Sequence, residues 1–326
     1  MALGEFDLIA RYFKRPARRA VLGVGDDCAL LAPSVGMQLA VSSDLLIEGR
    51  HFLSTVPPQA LGHKALAVNL SDLAACAATP LAFTLMLALP RVDEEFLRGF
   101  SEGLLALADL QAIELVGGDT TAGLLTVGIT VLGEVPPGAA LRRGAARVGD
   151  DLWVSHPHDG GIGDARLALE VFRGQAELPG QSFAQLRRAM EWPQPRVALG
   201  VALRGVAHAA IDLSDGLAGD LGHVLAQSQV GATLDWAALP RSSTLATQPL
   251  PLQKRCLLDG GDDYELLFSA PTSACVAVQR AADQAAVAVS RIGEVQAETG
   301  LRVRWPDGTI SAWATRGFDH FASASA

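Results

Sequence analysis

Five short aspartate-bearing segments constrain this chain more than anything else in it. They read Gly-Val-Gly-Asp-Asp at 23–27, Ser-Ser-Asp at 42–44, Asn-Leu-Ser-Asp at 69–72, Gly-Gly-Asp-Thr-Thr at 117–121 and Asp-Leu-Ser-Asp-Gly at 212–216. Several follow apolar, strand-like runs directly. Aspartate is a poor strand residue, and a carboxylate near a core is costly unless something neutralises it. Carboxylates converging on one place point to a hard cation with oxygen ligands, and Mg²⁺ is the usual one where phosphates are bound. The first expectation is a Mg²⁺-dependent enzyme acting on a phosphorylated substrate.

The bulk of the chain is compatible with that. Its 326 residues allow two domains. A hydrophobic share of 49% with 19% charged residues and 33 glycines argues for a globular α/β protein and against disorder. The net charge of −9 disfavours a nucleic-acid surface and suits surplus carboxylates for divalent cations. Cys28, Cys76, Cys256 and Cys275 form no CxxC pair and match no zinc spacing, so they read as small buried apolar residues. The first ten residues include Glu5 and Asp7 and have no long apolar core, and no apolar run reaches the roughly 18 residues of a membrane span. A cytoplasmic protein without a membrane partner is expected.

Periodicity gives a coarse organisation. Phe6, Ile9, Ala10 and Phe13 predict a short amphipathic helix, and Leu39 to Ser43 a strand ending at Asp44. A helix follows Pro57-Pro58 through about Ala78, then a buried strand at 81–89, a helix at 93–110, a strand at 113–116 feeding Gly117-Gly118-Asp119, and a long β-run at 124–135. A new strand begins near Leu152, which places a domain boundary at 148/149. Beyond it the pattern predicts helices around 164–173, 181–191, 195–206, 216–227 and 272–285. Strands are predicted at 209–213, 232–236, 264–269, 287–295 and 301–305, with a loop over 241–254.

Each aspartate segment has an ordinary reading beside the metal one. Asp26 and Asp27 repel each other unless a cation lies between them or they point apart. Asp44 either caps a helix or joins Ser42 and Ser43 in offering three oxygens on one turn. Asp72 lies in an apolar helical pattern, so it faces either water or a metal. Gly117-Gly118-Asp119 lets backbone amides approach a phosphate while Asp119 takes a cation. Asp212 to Gly216 ends a strand and opens a helix, either as a capping turn or as an anion site to which Ser214 donates. Arg142 and Arg143 are candidate charge stabilisers for phosphoryl transfer, and taken alone also read as a solvated face. His51, seven residues beyond Asp44, stands out among histidines that show no metal spacing.

The absences are informative. There is no GxxxxGK[ST] loop, no kinase HRD and DFG pair, no GxSxG elbow and no GxGxxG after a strand.

In order and spacing, these segments resemble the thiamine-monophosphate kinase family, which shares a fold with aminoimidazole ribonucleotide synthetase and selenophosphate synthetase. The resemblance starts at Gly4-Glu5-Phe6 and runs through Gly25-Asp26-Asp27, Ser42-Ser43-Asp44, the stretch Asn69 to Ala75, and Gly118-Asp119-Thr120-Thr121. It continues through Ile211 to Leu217, Gly260-Gly261-Asp262-Asp263-Tyr264-Glu265-Leu266 and a closing Gly317-Phe318-Asp319-His320-Phe321. The implied fold is α/β (α+β) with two domains, like aminoimidazole ribonucleotide synthetase. In it an N-terminal ATP- and Mg²⁺-binding mixed sheet with helices (1–148) pairs across a homodimer, and a C-terminal α/β domain (149–326) completes the active site.

The resemblance also implies roles. Asp27, Ser42, Ser43, Asp44, Asp72, Asp119, Asp212 and Asp215 would hold several Mg²⁺ ions. Gly118, Asp119, Arg143 and Ser214 would contact ATP, and His51, Asp262 and Phe318 would line the thiamine-phosphate site. The implied reaction moves the γ-phosphoryl group of ATP directly onto thiamine monophosphate, in line, giving thiamine diphosphate. The acceptor is already ionised, so no general base is assigned. Three positions depart from the family pattern: Asp262 replaces a glutamate, Ser43 a common threonine and Ala77 a frequent glycine. Two other readings remain: a related ATP-dependent enzyme with a different phosphoryl acceptor, and a non-catalytic nucleotide-binding maturation protein. Cys28 lacks the glycine-rich setting of selenophosphate synthetases, and the last cysteine, Cys275, is far from the end of the chain.

Overall fold

The computed structural model describes residues 4–315 and 317. The chain divides into two compact units, Met1–Ala140 and Leu141–Ala326.

The first unit holds α1 (Glu5–Tyr12), β1 (Gln38–Ile47), α2 (Pro58–Ala75), β2 (Thr79–Leu89), α3 (Glu94–Leu110), β3 (Glu114–Ala122) and β4 (Thr126–Val135). Its sheet runs in the order β1-β4-β2-β3; β4 is antiparallel to both its neighbours, and β2 and β3 are parallel. Helix α2 has almost no polar face because α3 covers one side and the sheet the other. Asp93 starts α3, accepting from the Glu95 and Phe96 amides at 3.1 Å, with Glu94 and Glu95 complementing the helix dipole.

Strand pairing corrects two expectations. Asp44 does not end β1 but lies well inside it. Strand β3 does not end at Val116 but continues through Gly117-Gly118-Asp119 to Ala122. Gly118 has φ +144°, and a Cβ there would lie 1.8 Å from the Leu85 carbonyl oxygen. Glycine at this position serves the close approach of β3 to β2.

The second unit holds β5 (Asp150–His156), α4 (Asp164–Phe172), α5 (Gly180–Glu191), α6 (Val197–Ala202), β6 (Ala209–Asp212), α7 (Leu217–Ser228) and β7 (Gly231–Asp235). It continues with α8 (Ser243–Ala246), α9 (Leu250–Leu258), β8 (Leu266–Pro271), α10 (Cys275–Gln284), β9 (Ala288–Gln296), β10 (Gly300–Arg304) and β11 (Ile310–Trp313). The predicted loop at 241–254 is largely helical, and the edge strand β11 was not expected. The sheet runs β11-β10-β7-β9-β5-β8-β6. Leu152, Val154, Ile211, Leu213, Leu221 and Leu267 belong to the core beneath it.

The cysteines depart from the reading above: Cys28, Cys76 and Cys275 are exposed and only Cys256 is buried. All four are free thiols. Among the described residues no helix is long and apolar enough to cross a membrane.

Candidate active site

In the first unit, alternation along β1 sorts the predicted ligands. Ser42 and Asp44 point to the face covered by α2, and Ser43 points to the other, where its hydroxyl meets Thr130 Oγ1 at 2.8 Å. The three oxygens of Ser-Ser-Asp therefore do not share one turn. On the helix-covered face, Ser42 Oγ donates to Asp72 Oδ2 at 2.5 Å, and the Asp44 amide donates to Asn69 Oδ1 at 3.0 Å. Asn69 and Asp72 are three residues apart on α2, so both reach β1. Ser42, Asp44 and Asp72 are thus brought together.

The opposite face carries a second group. Asp119 pairs in register with Met86, whose side chain is exposed, while the neighbouring Thr120 is the buried one. Asp119 therefore stands on the face away from Asp44 and Asp72. The segment bearing Asp26 and Asp27 lies on that face too, packing Ala20, Ala29 and Leu31 with Ala82, Val116 and Leu132. Asp26 Oδ1 accepts from the Asp27 amide at 2.8 Å, a bond that orients the first carboxylate of the exposed pair.

Glu114 and Glu134 hold this segment in place. The Glu114 carboxylate accepts from the amides of Arg18, Arg19 and Ala20 at 2.5, 3.0 and 3.0 Å. Burial works to raise its pKa, but these three amides prevail and hold it below the usual range. Glu134 accepts from the Ser34 amide and hydroxyl, both at 2.9 Å, and is likewise held low, chiefly by that amide. His51 sits in the turn after β1, its Nδ1 accepting from the Ile47 amide at 3.0 Å.

In the second unit, Asp212 ends β6 and Ser214 and Asp215 form the turn into α7. The amides of Asp215 and Gly216 donate to Asp220 Oδ2 at 3.0 and 3.1 Å, which matches the capping-turn alternative for this segment. Burial, then the charge of Asp212, pushes the Asp220 carboxyl up to about 8 against the pull of those amides. The charges of Asp212 and Asp215 both favour a protonated Asp220, which places the three carboxyls near one another. The amide of Asp262 donates to the Ser214 carbonyl at 2.9 Å, which sets Asp262 beside this turn. Arg143 is exposed, and its carbonyl accepts from Ser228 at the other end of α7. A helix of 12 residues, about 18 Å, separates it from the Ser214 turn. Phe318 lies outside the described residues.

Among the described residues, no group of three or more His, Cys, Asp or Glu is placed to hold a metal ion by itself. The donors present are hard oxygens, without thiolate or imidazole among them. They suit Mg²⁺, which takes one or two carboxylates and completes its shell with water and phosphate oxygens. Asp220 and Glu114, which brace the turn and the segment carrying predicted ligands, are not among the sequence candidates. The available signal for Asp220 was a carboxylate inside the apolar run Leu217-Ala218-Gly219-Asp220-Leu221.

Comparison with known proteins covers both units. Residues 25–135 match the AIR synthase related protein N-terminal domain, and residues 147–306 match the C-terminal domain of the same family. The chain is 43% identical to the thiamine-monophosphate kinase of Salmonella typhimurium, over 99% of this chain and 100% of that one. The crystal structure of a thiamine-monophosphate kinase from Stenotrophomonas maltophilia superposes with a TM-score of 0.83 at 41% identity, covering 93% of this chain and 95% of that one. A structure of AaThiL complexed with AMPPCP and TMP superposes with a TM-score of 0.75 at 27% identity, covering 89% of each chain.

Proposed function

The chain belongs to the AIR synthase related family, and from that premise we propose that it transfers the γ-phosphoryl group of ATP to thiamine monophosphate, giving thiamine diphosphate. The observation that carries this reading is the likeness to thiamine-monophosphate kinases, at 43% identity over 99% of the chain and, in a solved structure, 41% identity over 93% of it. The hydroxyl-braced Asp72 and the neighbouring Asp212, Asp215 and Asp220 are the oxygen chemistry such a reaction needs.

Transfer between two phosphates is opposed by charge repulsion, not by a weak nucleophile. The acceptor phosphate is ionised at neutral pH, so no side chain has to remove a proton, and no phosphorylated residue is formed. Asp44 and Asp72 in the first unit, and Asp212 and Asp215 in the second, would hold Mg²⁺, with Asp27 and Asp119 as further ligands on the other face of the first sheet. When bound, Mg²⁺ supplies neutralisation of both phosphates. Ser42 fixes the orientation of Asp72, and Asp220 fixes the turn that carries Ser214 and Asp215. Ser214 contacts the ATP phosphates, and Asp262 and His51 contact thiamine phosphate, whose thiazolium is cationic.

The first sheet also supports a homodimer. Leu39, Val41, Leu45, Ile47 and Met86 are exposed large apolar residues on its open face. Pairing two such faces would cover them and would bring Asp119 and Ser43 to the subunit boundary.

The test is formation of thiamine diphosphate from thiamine monophosphate, ATP and Mg²⁺ by the purified protein, with free thiamine as a parallel acceptor and a chelator control. Product from the monophosphate alone, abolished by chelation, is the expected outcome. ADP formation without thiamine diphosphate would overturn the acceptor.

A further inference from the structure

Among the described residues of the second unit, four that are not glycine have positive φ: Gln229 and Ala286 close the ends of helices, and Asp262 and Tyr264 lie outside any helix. Asp262 has φ +76° and Tyr264 has φ +52°, on either side of Asp263. Such conformations persist only where the surroundings over-determine them, and they cluster at ligand sites. Part of the restraint is backbone pairing: the Asp262 amide donates to the Ser214 carbonyl at 2.9 Å, and the Tyr264 amide to the Leu213 carbonyl at 2.8 Å.

The rest comes from Asp263. Its two carboxylate oxygens lie 2.9 and 3.0 Å from the Gly163 amide nitrogen, a hundred residues away in sequence. The residue keeps some exposed surface, yet its carboxyl is enclosed by protein, and burial pushes its pKa well above the usual range. Gly163 is a rigid post. It has φ +84°, and a Cβ there would meet the Cys256 carbonyl oxygen at 2.8 Å. Beside it, the Ile162 amide donates to the Pro240 carbonyl at 3.1 Å, and a Cβ on Gly161 would lie 2.3 Å from Arg241 Cα. The loop before α4 is thus pinned against 240–241. On the far side of Tyr264, Glu265 is fixed by Arg196 and by Ser155 Oγ at 2.5 Å. Asp263 and Glu265 are both anchored inward, which leaves the intervening backbone no freedom to relax.

We propose that Asp263 is a positioning residue for thiamine phosphate: anchored on the Gly163 amide, it holds the Asp262–Tyr264 segment in the conformation that presents Asp262 to the substrate. The inference rests on the reading of Asp262 as a substrate contact. Asp262 is one methylene shorter than the glutamate of the family pattern, so its reach depends more heavily on backbone placement.

The experiment compares steady-state kinetics of Asp263→Ala, Asp263→Asn and Asp262→Ala in the full chain. Asp263→Ala is expected to raise KM for thiamine monophosphate about tenfold or more, with kcat and KM for ATP within about threefold of the unaltered protein. Asp263→Asn keeps an oxygen for the Gly163 amide and should restore most of that KM. Should Asp263→Ala not fold, Asp263→Ser, whose hydroxyl is too short to reach the amide, carries the same comparison. An unchanged KM for thiamine monophosphate without the anchor, or equal losses of both substrates in the Ala and Asn variants, would overturn the proposal. If Asp262→Ala raises KM while Asp263→Ala does not, only this inference falls. If Asp262→Ala leaves KM unchanged, the substrate-site reading falls with it.

Discussion

Ser42 Oγ stands 2.5 Å from Asp72 Oδ2 and so ties the middle of β1 to the last turn of α2. That bond uses one carboxylate oxygen of Asp72 and sets the plane of the group. The pair separates two roles of Asp72. Asparagine at 72 retains an oxygen for the Ser42 hydroxyl but loses the charge that attracts a cation. Asp72→Asn is expected to lower kcat by about a hundredfold or more while the melting temperature moves by a few degrees at most. Activity assays beside thermal unfolding check this. Near-normal turnover in a folded variant would remove Asp72 from the metal site.

Glu114 answers three backbone amides of the segment leading to Asp26 and Asp27. Deleting it leaves partly buried donors without a partner, each worth about 1–3 kcal/mol when fully buried. Glu114→Ala is expected to lower unfolding free energy by about 2–4 kcal/mol, less than the full sum because water reaches some of the amides. The urea midpoint of the purified variant measures it, and Glu114→Gln should fall in between. A midpoint unchanged in Glu114→Ala would mean that the segment is held by its apolar contacts alone.

Much of this architecture is legible in the residues. The apolar run at 81–89 became β2, the acidic start at 93–95 became the cap and first turn of α3, and the order of aspartate segments gave the family. What the chain does not announce is direction. Ser42, Ser43 and Asp44 read as three oxygens in a row, and only the strand that contains them sends Ser43 to the opposite face. The start of α7 reads either as a capping turn or as an anion site, and only the folded turn shows its amides taken by Asp220, four and five residues further on. Ala77 is a similar case. It stands where the family often has glycine, and the structure supplies the reason, a left-handed φ of +55° just past the end of α2.

Asp164 offers a pH test. It opens α4, accepts from Ser242 Oγ at 2.6 Å, and is pushed by burial up to about 6. A carboxyl whose folded pKa lies above its unfolded value is bound more tightly by protons in the folded state. Its contribution is most favourable below pH 4 and is lost as pH rises through about 6. Asp164→Asn carries no such titration. The variant's stability relative to the unaltered protein is expected to increase between pH 4 and 6 and level off above about 7, by about 1–3 kcal/mol. Denaturant midpoints at several pH values test it. A difference that stays flat with pH would show that Asp164 titrates normally.

Leu45 and Met86 flank Gly128 on the open face of the first sheet, where a Cβ on that glycine would lie 3.3 Å from Leu45 Cδ1 and from Met86 Cε. The two exposed side chains therefore stand close together over a shallow strip. In a twofold interface each residue appears twice, so one substitution acts on both sides. Leu45→Asp would bury two carboxylates among apolar groups, at a cost of several kcal/mol per interface. Sedimentation should find the unaltered chain as a dimer and Leu45→Asp as a folded monomer with unchanged circular dichroism. Asp119 shares this face, so the monomer is also expected to lose thiamine diphosphate formation beyond what dilution of the native dimer explains. A monomeric native chain with full activity would refute the pairing and leave the exposed apolar strip without a function in catalysis.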